Sequence, residues 1–228
     1  MNGGKQDSSG LDNSDQEGLN VVIVEHEERS AAVMFIKRSV QVAFSLWVSP
    51  RVALYYLFGR LLGPQAFLHA SESIGKVPGL WGIYCRQAFY RATLYSCGQD
   101  CYFGWLSTFS IAEARVGRNV YLGRRCSIGF ADIGDHVMLA DGVQILSGGR
   151  EHGLATGSGE THQEQAREFR RVTIGEGAWL GTNCIIMADV GAHAVVGAGA
   201  VVTKPVPPYG IAVGIPAKVL RVNAPASP

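Results

Sequence analysis

A parallel β-solenoid of about four coils, preceded by a helical region, is the fold this sequence predicts. Three observations carry that expectation. From Val116 onward the chain repeats in units of six: VGRNVY, LGRRCS, IGFAD, then IGDHVM, LADGVQ, ILSGGR; after an interruption it resumes with IGEGAW, LGTNCI, IMAD, VGAHAV, VGAGAV and VTKPVP. Every unit opens on an aliphatic residue, from Val116, Leu122 and Ile128 to Val190, Val196 and Val202, and its fifth place is small or β-branched, as at Val120, Cys126, Val137, Ala178 and Cys184. The units opening at Ile128 and Ile186 are short, and the unit opening at Ile145 carries an insertion, residues 147–171. With three units to a coil, all three irregularities fall at one corner of a triangular prism.

A period of six fits neither a helix at about 3.6 residues per turn nor a plain hairpin sheet. It fits short flat faces joined by tight corners. The opener points inward, the small residue fills the narrow space beside a corner, and glycine supplies the corner dihedrals that a Cβ resists. Coils of this kind stack at about 4.8 Å through main-chain hydrogen bonds.

The remaining elements follow in chain order. Residues 1–30 form a tail, disordered or loosely docked, because the polar, turn-rich stretch 1–20 buries too little surface to offset ordering. Residues 31–100 read as helical and 101–228 as the solenoid with its loop insertion and a C-terminal extension. In residues 31–62, Ser39–Pro50 and Val52–Gly59 carry no charge, Arg51 and Arg60 interrupt them, and Pro50 would kink a helix. Neither half reaches the ~20 apolar residues of a membrane span. Two readings stay open. One is an amphipathic interfacial segment, with Trp47, Tyr55 and Tyr56 at headgroup depth and Lys37, Arg38, Arg51 and Arg60 meeting lipid phosphates. The other is a helical pair packed on the rest of the protein or on a neighbouring subunit. After the break at 74–79, Ile83, Phe89, Tyr90, Leu94 and Tyr95 suggest a helix with one broad apolar face, with Arg86 and Arg91 on its other side. Residues 101–110 read as a strand leading into the repeat.

Composition narrows the function. Lys and Arg number 20 against 19 Asp and Glu, with no basic run, so nucleic acid is not an expected partner. Five scattered cysteines show neither a disulfide framework nor paired metal ligands, and the polar, acidic N-terminus shows no cleavable signal. These features point to the cytoplasm, with peripheral contact at the inner face of the membrane under the first reading of residues 31–62.

The spans IGEGAWLGTNCIIMADVG, VVGAGAVVTKPVPP and VGIPAKVLR resemble the hexapeptide-repeat acyltransferases, in their sugar O-acetyltransferase branch, which includes galactoside and maltose acetyltransferases. PGLWGIYCRQAFYRATLYSCGQD, followed by FGWLSTFS and ILSGGREHG, resembles a narrower group of colanic-acid-type or polysaccharide O-acetyltransferases. The resemblance implies a left-handed parallel β-helix, acetyl-CoA as donor, no metal, a homotrimer with grooves between subunits, and a saccharide acceptor in surface polysaccharide or its precursor. The histidines also lack the pairing on neighbouring coils that a zinc site between subunits needs.

A hydroxyl acceptor needs a general base, for which His is suited, and the attacked carbonyl needs N–H donors. The resemblance assigns the base to His152 in SGGREHG, with His162 (GETHQEQ) as runner-up, touching substrate across the subunit interface. Asp141 or a backbone carbonyl would orient His152, whereas Glu151, adjacent in sequence, would point elsewhere. His136 and His193 fall in repeat turns and read as solvated; His26 and His69 carry no catalytic signal. Trp179 and Thr182 in AWLGTN match the family's VWIG motif: Trp179 walls the acceptor end and the Thr182 N–H faces the oxyanion. Ala198, Thr203 and Lys204 match the pantetheine groove, and Lys218 and Arg221 match basic residues that meet the nucleotide phosphates. Where relatives place an acceptor-positioning Asn, this chain has YLGRRCSIGF, and Arg124 stands as the acceptor contact. Packing accounts for Cys126 and Cys184; Cys85, Cys97 and Cys101 have no assignment. Two competing readings are acetyl transfer to a small acceptor (an antibiotic, serine or an amino sugar) and a catalytically inactive scaffold.

Overall fold

The computed structural model describes residues 31–63, 65–147 and 170–223. The tail 1–30 and the larger part of the insertion, with His152 and His162, lie outside the described residues. The chain divides into two compact units, residues 1–40 and 41–228. The first contributes the opening turns of helix α1 (Ala31–Leu62); the second holds the rest of α1, α2 (Gln65–Gly75), α3 (Gly79–Thr93) and the solenoid.

Helix α1 runs through Pro50, where the sequence predicts a kink. Pro50 has no N–H for the Leu46 carbonyl, but the Ser49 hydroxyl donates to that carbonyl at 2.8 Å. The lost bond is thereby replaced locally. Within the larger unit, Phe44, Val48, Val52 and Tyr55 form the packing stripe of α1 at helical spacing. Phe44 meets Trp81 edge-on and stacks on Tyr84, with centroids 4.6 and 5.1 Å away, and Tyr55 meets Phe67 and Phe89. This matches the packed-helix reading for one face of α1.

The solenoid has about five coils. β1 (Ser96–Cys97), β4 (Arg115–Val116), β7 (Ala131–Ile133) and β10 (Val172–Ile174) pair in parallel as sheet A, continued by bridges from Ile174 to Val190 and Val190 to Val206. β2 (Tyr102–Phe103), β5 (Tyr121–Leu122), β8 (Met138–Leu139), β11 (Trp179–Leu180), β13 (Val195–Val196) and β15 (Gly210–Val213) form sheet B, and β16 (Lys218–Val222) closes its edge antiparallel to β15. β3 (Thr108–Phe109), β6 (Ser127–Ile128), β9 (Gln144–Ile145), β12 (Ile185–Ile186) and β14 (Val201–Val202) form sheet C. The inward openers Leu122, Ile128, Leu139, Ile174, Leu180 and Val202 are fully buried, each contributing roughly 1.5–3 kcal/mol by leaving water. The fifth-place residues from Val120 to Val206 are buried beside the corners, as the period requires.

Three features differ from the sequence reading. The coil count rises from about four because residues 96–109 already wind as a first coil. Its openers at sheets B and C are Phe103 and Phe109, both buried, so an aliphatic count passes over them. They pack edge-on against the buried ring of Tyr90, which joins helices to solenoid.

Arg86, expected on a solvent face, is 1% exposed. Its Nε donates to the Phe103 carbonyl at 2.9 Å and its Nη1 to the Val77 carbonyl at 2.6 Å. A helical projection places Arg86 opposite the apolar stripe but carries no information on the carbonyls that the first coil brings there.

The third difference concerns the repeating glycine. The left-handed corner residue is mostly not glycine: Asn119, Arg125, His136, Asn183, His193 and Tyr209 all have φ between 54° and 59°. The glycine after each opener answers a different demand, the closeness of the next coil. A Cβ on Gly123 would lie 2.6 Å from Asp141 Oδ1, and one on Gly134 2.7 Å from the Glu176 nitrogen. Neither neighbour distance is one a real Cβ tolerates.

Candidate active site

The corner between sheets B and C is the same turn built coil upon coil, and what changes along it is the side chain facing the exposed N–H. On the second coil that N–H belongs to Arg124. It donates to Asp141 Oδ1 of the next coil at 2.7 Å, while the Arg124 guanidinium holds Oδ2 at 2.9 Å from Nε and 2.8 Å from Nη2. The main-chain donor first, then the side-chain bond and charge of Arg124, hold the Asp141 carboxyl below the usual carboxylate range. The corner between sheets A and B repeats the device with Arg118 and Asp135, whose main-chain bond is also 2.7 Å.

On the fourth coil the equivalent residue is Thr182, and the residue that follows it on the next coil is Ala198. The Gly181 N–H donates to Val196 and the Thr182 carbonyl accepts from Gly199 at 2.8 Å, so the coils remain joined. Ala198 has no acceptor side chain, and the Thr182 N–H meets no acceptor among the described residues. An N–H without an acceptor on an exposed corner residue is the kind of donor that a developing oxyanion requires.

Trp179 stands on sheet B just before this corner and is 48% exposed. It lies in register with Met138 below and Val195 above, and the same row continues through Ile211 to Arg221 on β16. Lys218 pairs opposite Val213 on that strand, and both cations are exposed. Thr203 and Lys204, also exposed, follow β14 at the corner where sheet C hands over to sheet A. The structure thus brings Thr182, Ala198 and Trp179 to neighbouring positions, puts Arg221 on the row of Trp179, and sets Thr203 and Lys204 at a different corner. Arg124 is exposed but engaged with Asp141, two coils below Thr182. The Asp141 carboxylate, expected with a backbone carbonyl as one of two groups that could orient His152, is occupied by Arg124 through both oxygens.

The insertion leaves and re-enters at the corner between sheets C and A, the one that all three repeat irregularities share. The Arg170 N–H donates to the Ser147 carbonyl at 2.8 Å and closes its base. The Arg170 guanidinium pairs with Asp189 at 2.8 Å, and Arg171 pairs with Asp132 while covering the Phe130 ring. The coils before and after the insertion are therefore both tied to its exit. Sequence reasoning missed these anchors. Their signal was present: both short units, IGFAD and IMAD, end in the aspartate that takes one of the two arginines.

Other reactive side chains are accounted for by packing. Burial pushes the Cys126 and Cys184 thiols up to about 11 and about 12, so neither supplies a thiolate near neutrality. His136 and His193 are exposed corner residues, the latter stacked on Tyr209 at 5.1 Å. Among the described residues no group of three or more His, Cys, Asp or Glu is placed to hold a metal ion. A cavity of about 360 Å³, lined by Tyr55, Phe67, Ile111 and Glu113 among others, lies at the first coil rather than beside Thr182.

Residues 171–204 match the family described as the hexapeptide repeat of succinyl-transferase. The chain is 32% identical over 117 residues to galactoside O-acetyltransferase of Escherichia coli (strain K12), covering 46% of this chain and 55% of that one. It is 34% identical over 111 residues to serine acetyltransferase 2 of Arabidopsis thaliana, covering 48% of this chain and 31% of that one. The chain therefore spans about half of the first relative and about a third of the second. Among solved structures, a galactoside acetyltransferase in complex with coenzyme A superposes with a TM-score of 0.61 at 23% identity, over 71% of this chain and 83% of that one. At that identity the superposition speaks for the fold. The period, the stacked parallel coils and these likenesses make the chain similar to hexapeptide-repeat proteins in its repeat and fold, and to galactoside and serine acetyltransferases in sequence.

Proposed function

We propose that the chain is an acetyl-CoA-dependent O-acetyltransferase whose acceptor is a sugar hydroxyl of surface polysaccharide or its precursor, working as a homotrimer. The likeness to galactoside O-acetyltransferase and the coenzyme A named for the structural neighbour support the reaction class and the donor. The observation that carries the proposal is the open Thr182 N–H at a corner that the chain closes elsewhere with an aspartate.

In this reading His152 takes the proton of the acceptor hydroxyl as its oxygen bonds to the thioester carbonyl carbon. The charge that gathers on the carbonyl oxygen meets the Thr182 N–H. The C–S bond then breaks, and the departing thiolate of coenzyme A takes the proton back from His152. Ala198, Thr203 and Lys204 line the pantetheine path, with small side chains letting it approach the main chain, and Lys218 and Arg221 meet the nucleotide phosphates. Trp179, Arg124 and His162 contact the acceptor.

The test is release of free coenzyme A thiol from acetyl-CoA across a panel of sugars, serine and amino sugars, with mass spectrometry of the products. Ala198→Asp offers the Thr182 N–H the same cap that Asp141 gives Arg124. Turnover is expected to fall on the order of 10²–10³-fold while the thermal transition stays in place. Near-normal turnover in that variant removes Thr182 from the reaction. The likeness to serine acetyltransferase 2 favours a second reading, a small acceptor, and acetylation of serine in preference to every sugar would establish it. No thiol release with any acceptor leaves the inactive scaffold.

A further inference from the structure

One face of α1 has no partner among the described residues. Leu46, Trp47, Leu54, Leu57 and Leu61 are each more than half exposed, and so are Leu80 and Trp81 at the start of α3. Because α1 continues through Pro50, the stretch Phe35–Gly59 reaches the length and apolar character of a membrane span that neither half was expected to reach, with an 18-residue window of mean hydropathy 1.2 of which only 6% is buried. A soluble surface rarely carries so continuous an apolar patch without a use for it.

The opposite face of the same helix decides how that patch is used. Val48 is buried, Arg51 donates to Ser73 Oγ at 3.0 Å, and the Tyr56 hydroxyl donates to the Ala92 carbonyl at 2.8 Å. A helix crossing a bilayer would have to give up these contacts with α2 and α3. A helix lying flat keeps them and still buries its outer face in lipid. Trp47 and Trp81 meet edge-on at 5.6 Å on this surface, and paired exposed indoles suit the boundary between acyl chains and headgroups. The charge is of one sign: from Ala31 to Leu62 the sequence holds Lys37, Arg38, Arg51 and Arg60 and no Asp or Glu. That pattern complements lipid phosphates and opposes an isologous pairing of the face with itself.

We propose that α1 is an in-plane membrane anchor, seating its Leu46–Leu61 face, with Leu80 and Trp81, in the surface of a bilayer that contains anionic lipid. The inference does not depend on the acetyl-transfer reading.

Co-sedimentation of the full chain with vesicles tests it, using phosphatidylcholine alone and phosphatidylcholine with roughly a third phosphatidylglycerol. The chain is expected to pellet with the anionic vesicles on the order of tenfold more strongly than with the neutral ones at low salt. Its tryptophan emission is expected to move to shorter wavelength on binding. The double variant Leu46→Glu/Leu57→Glu is expected to lose both signals while keeping the wild-type thermal transition. Leu61→Ser, a milder change at another exposed position, is expected to weaken both. Failure to pellet with either vesicle, or wild-type pelleting by the double variant, overturns the proposal. So does a vesicle-free wild-type assembly that the double variant breaks into smaller species, because the face would then belong to a second copy of the chain.

Discussion

At the first coil, Arg86 and Tyr90 answer buried carbonyls where helix meets solenoid; at the corner of the fourth and fifth coils, a main-chain N–H meets no acceptor among the described residues. Arg86 reaches the carbonyls of Phe103 and Val77, and the Tyr90 hydroxyl donates to the Ser107 carbonyl at 3.0 Å while sharing a bond with Ser71 at 2.9 Å. Burial among Phe89, Phe103 and Phe109 raises the Tyr90 phenol well above its ordinary range, so it stays a neutral donor. Farther along, the same turn that Asp141 caps at Arg124 is uncapped at Thr182 because the next coil offers Ala198. The backbone is common to both corners. A single side chain decides whether a corner serves the stability of the stack or stays open to a ligand.

The largest expected effect bears on the open end. His152→Ala is expected to lower kcat by about 10²–10⁴-fold while acetyl-CoA binding, followed by calorimetry, persists. Near-normal turnover would move the base to His162. At the closed end, Arg86→Met removes donors from carbonyls buried under the first coil and is expected to cost about 3 kcal/mol, read as a fall in the denaturation midpoint. A loss below about 1 kcal/mol would mean that those carbonyls find other partners.

The smallest effect belongs to the capped corner. Asp141→Ala is expected to cost no more than about 1 kcal/mol, since the pair is solvent-exposed. Its pH signature is more telling than its size. The Asp141 carboxyl is held below its ordinary value in the folded chain, so its contribution is complete above about pH 5 and is lost as pH falls from about 4 through the depressed folded value. The variant should therefore show a shallower acid limb in thermal stability below about pH 4. An unchanged limb would show that the cap adds nothing to folding.

Much of the solenoid was legible because a period of six, once started, repeats the same demand at each opener. Leu122, Leu139 and Leu180 stack in one sheet for that reason. The first coil was hidden by chemistry, not by lack of pattern: Phe103 and Phe109 fill inward places where the repeat elsewhere has Ile, Leu or Val. Pro50 does not end α1, and the Ser49 hydroxyl bonds the carbonyl that the proline leaves without a donor, a local bond that a rule about proline alone does not include. At the candidate site, Trp179 and Thr182 were found through a motif. The anchors of the insertion, Arg170 with Asp189 and Arg171 with Asp132, join residues 19 and 39 positions apart. Their pairing follows only from knowing which coil lies above which.

The amino-acid sequence by itself determined the period, the inward and outward alternation, and the single corner open to insertion, because each is a local property of a six-residue unit. Only the tertiary structure decided that Arg86 is buried, that the repeating glycine serves contact between coils, and that, among the described residues, the Thr182 N–H meets no acceptor and one face of α1 no partner. Each of these depends on what the neighbouring coil or helix presents at a given height. Partners far apart in the chain become neighbours only when the stack has formed.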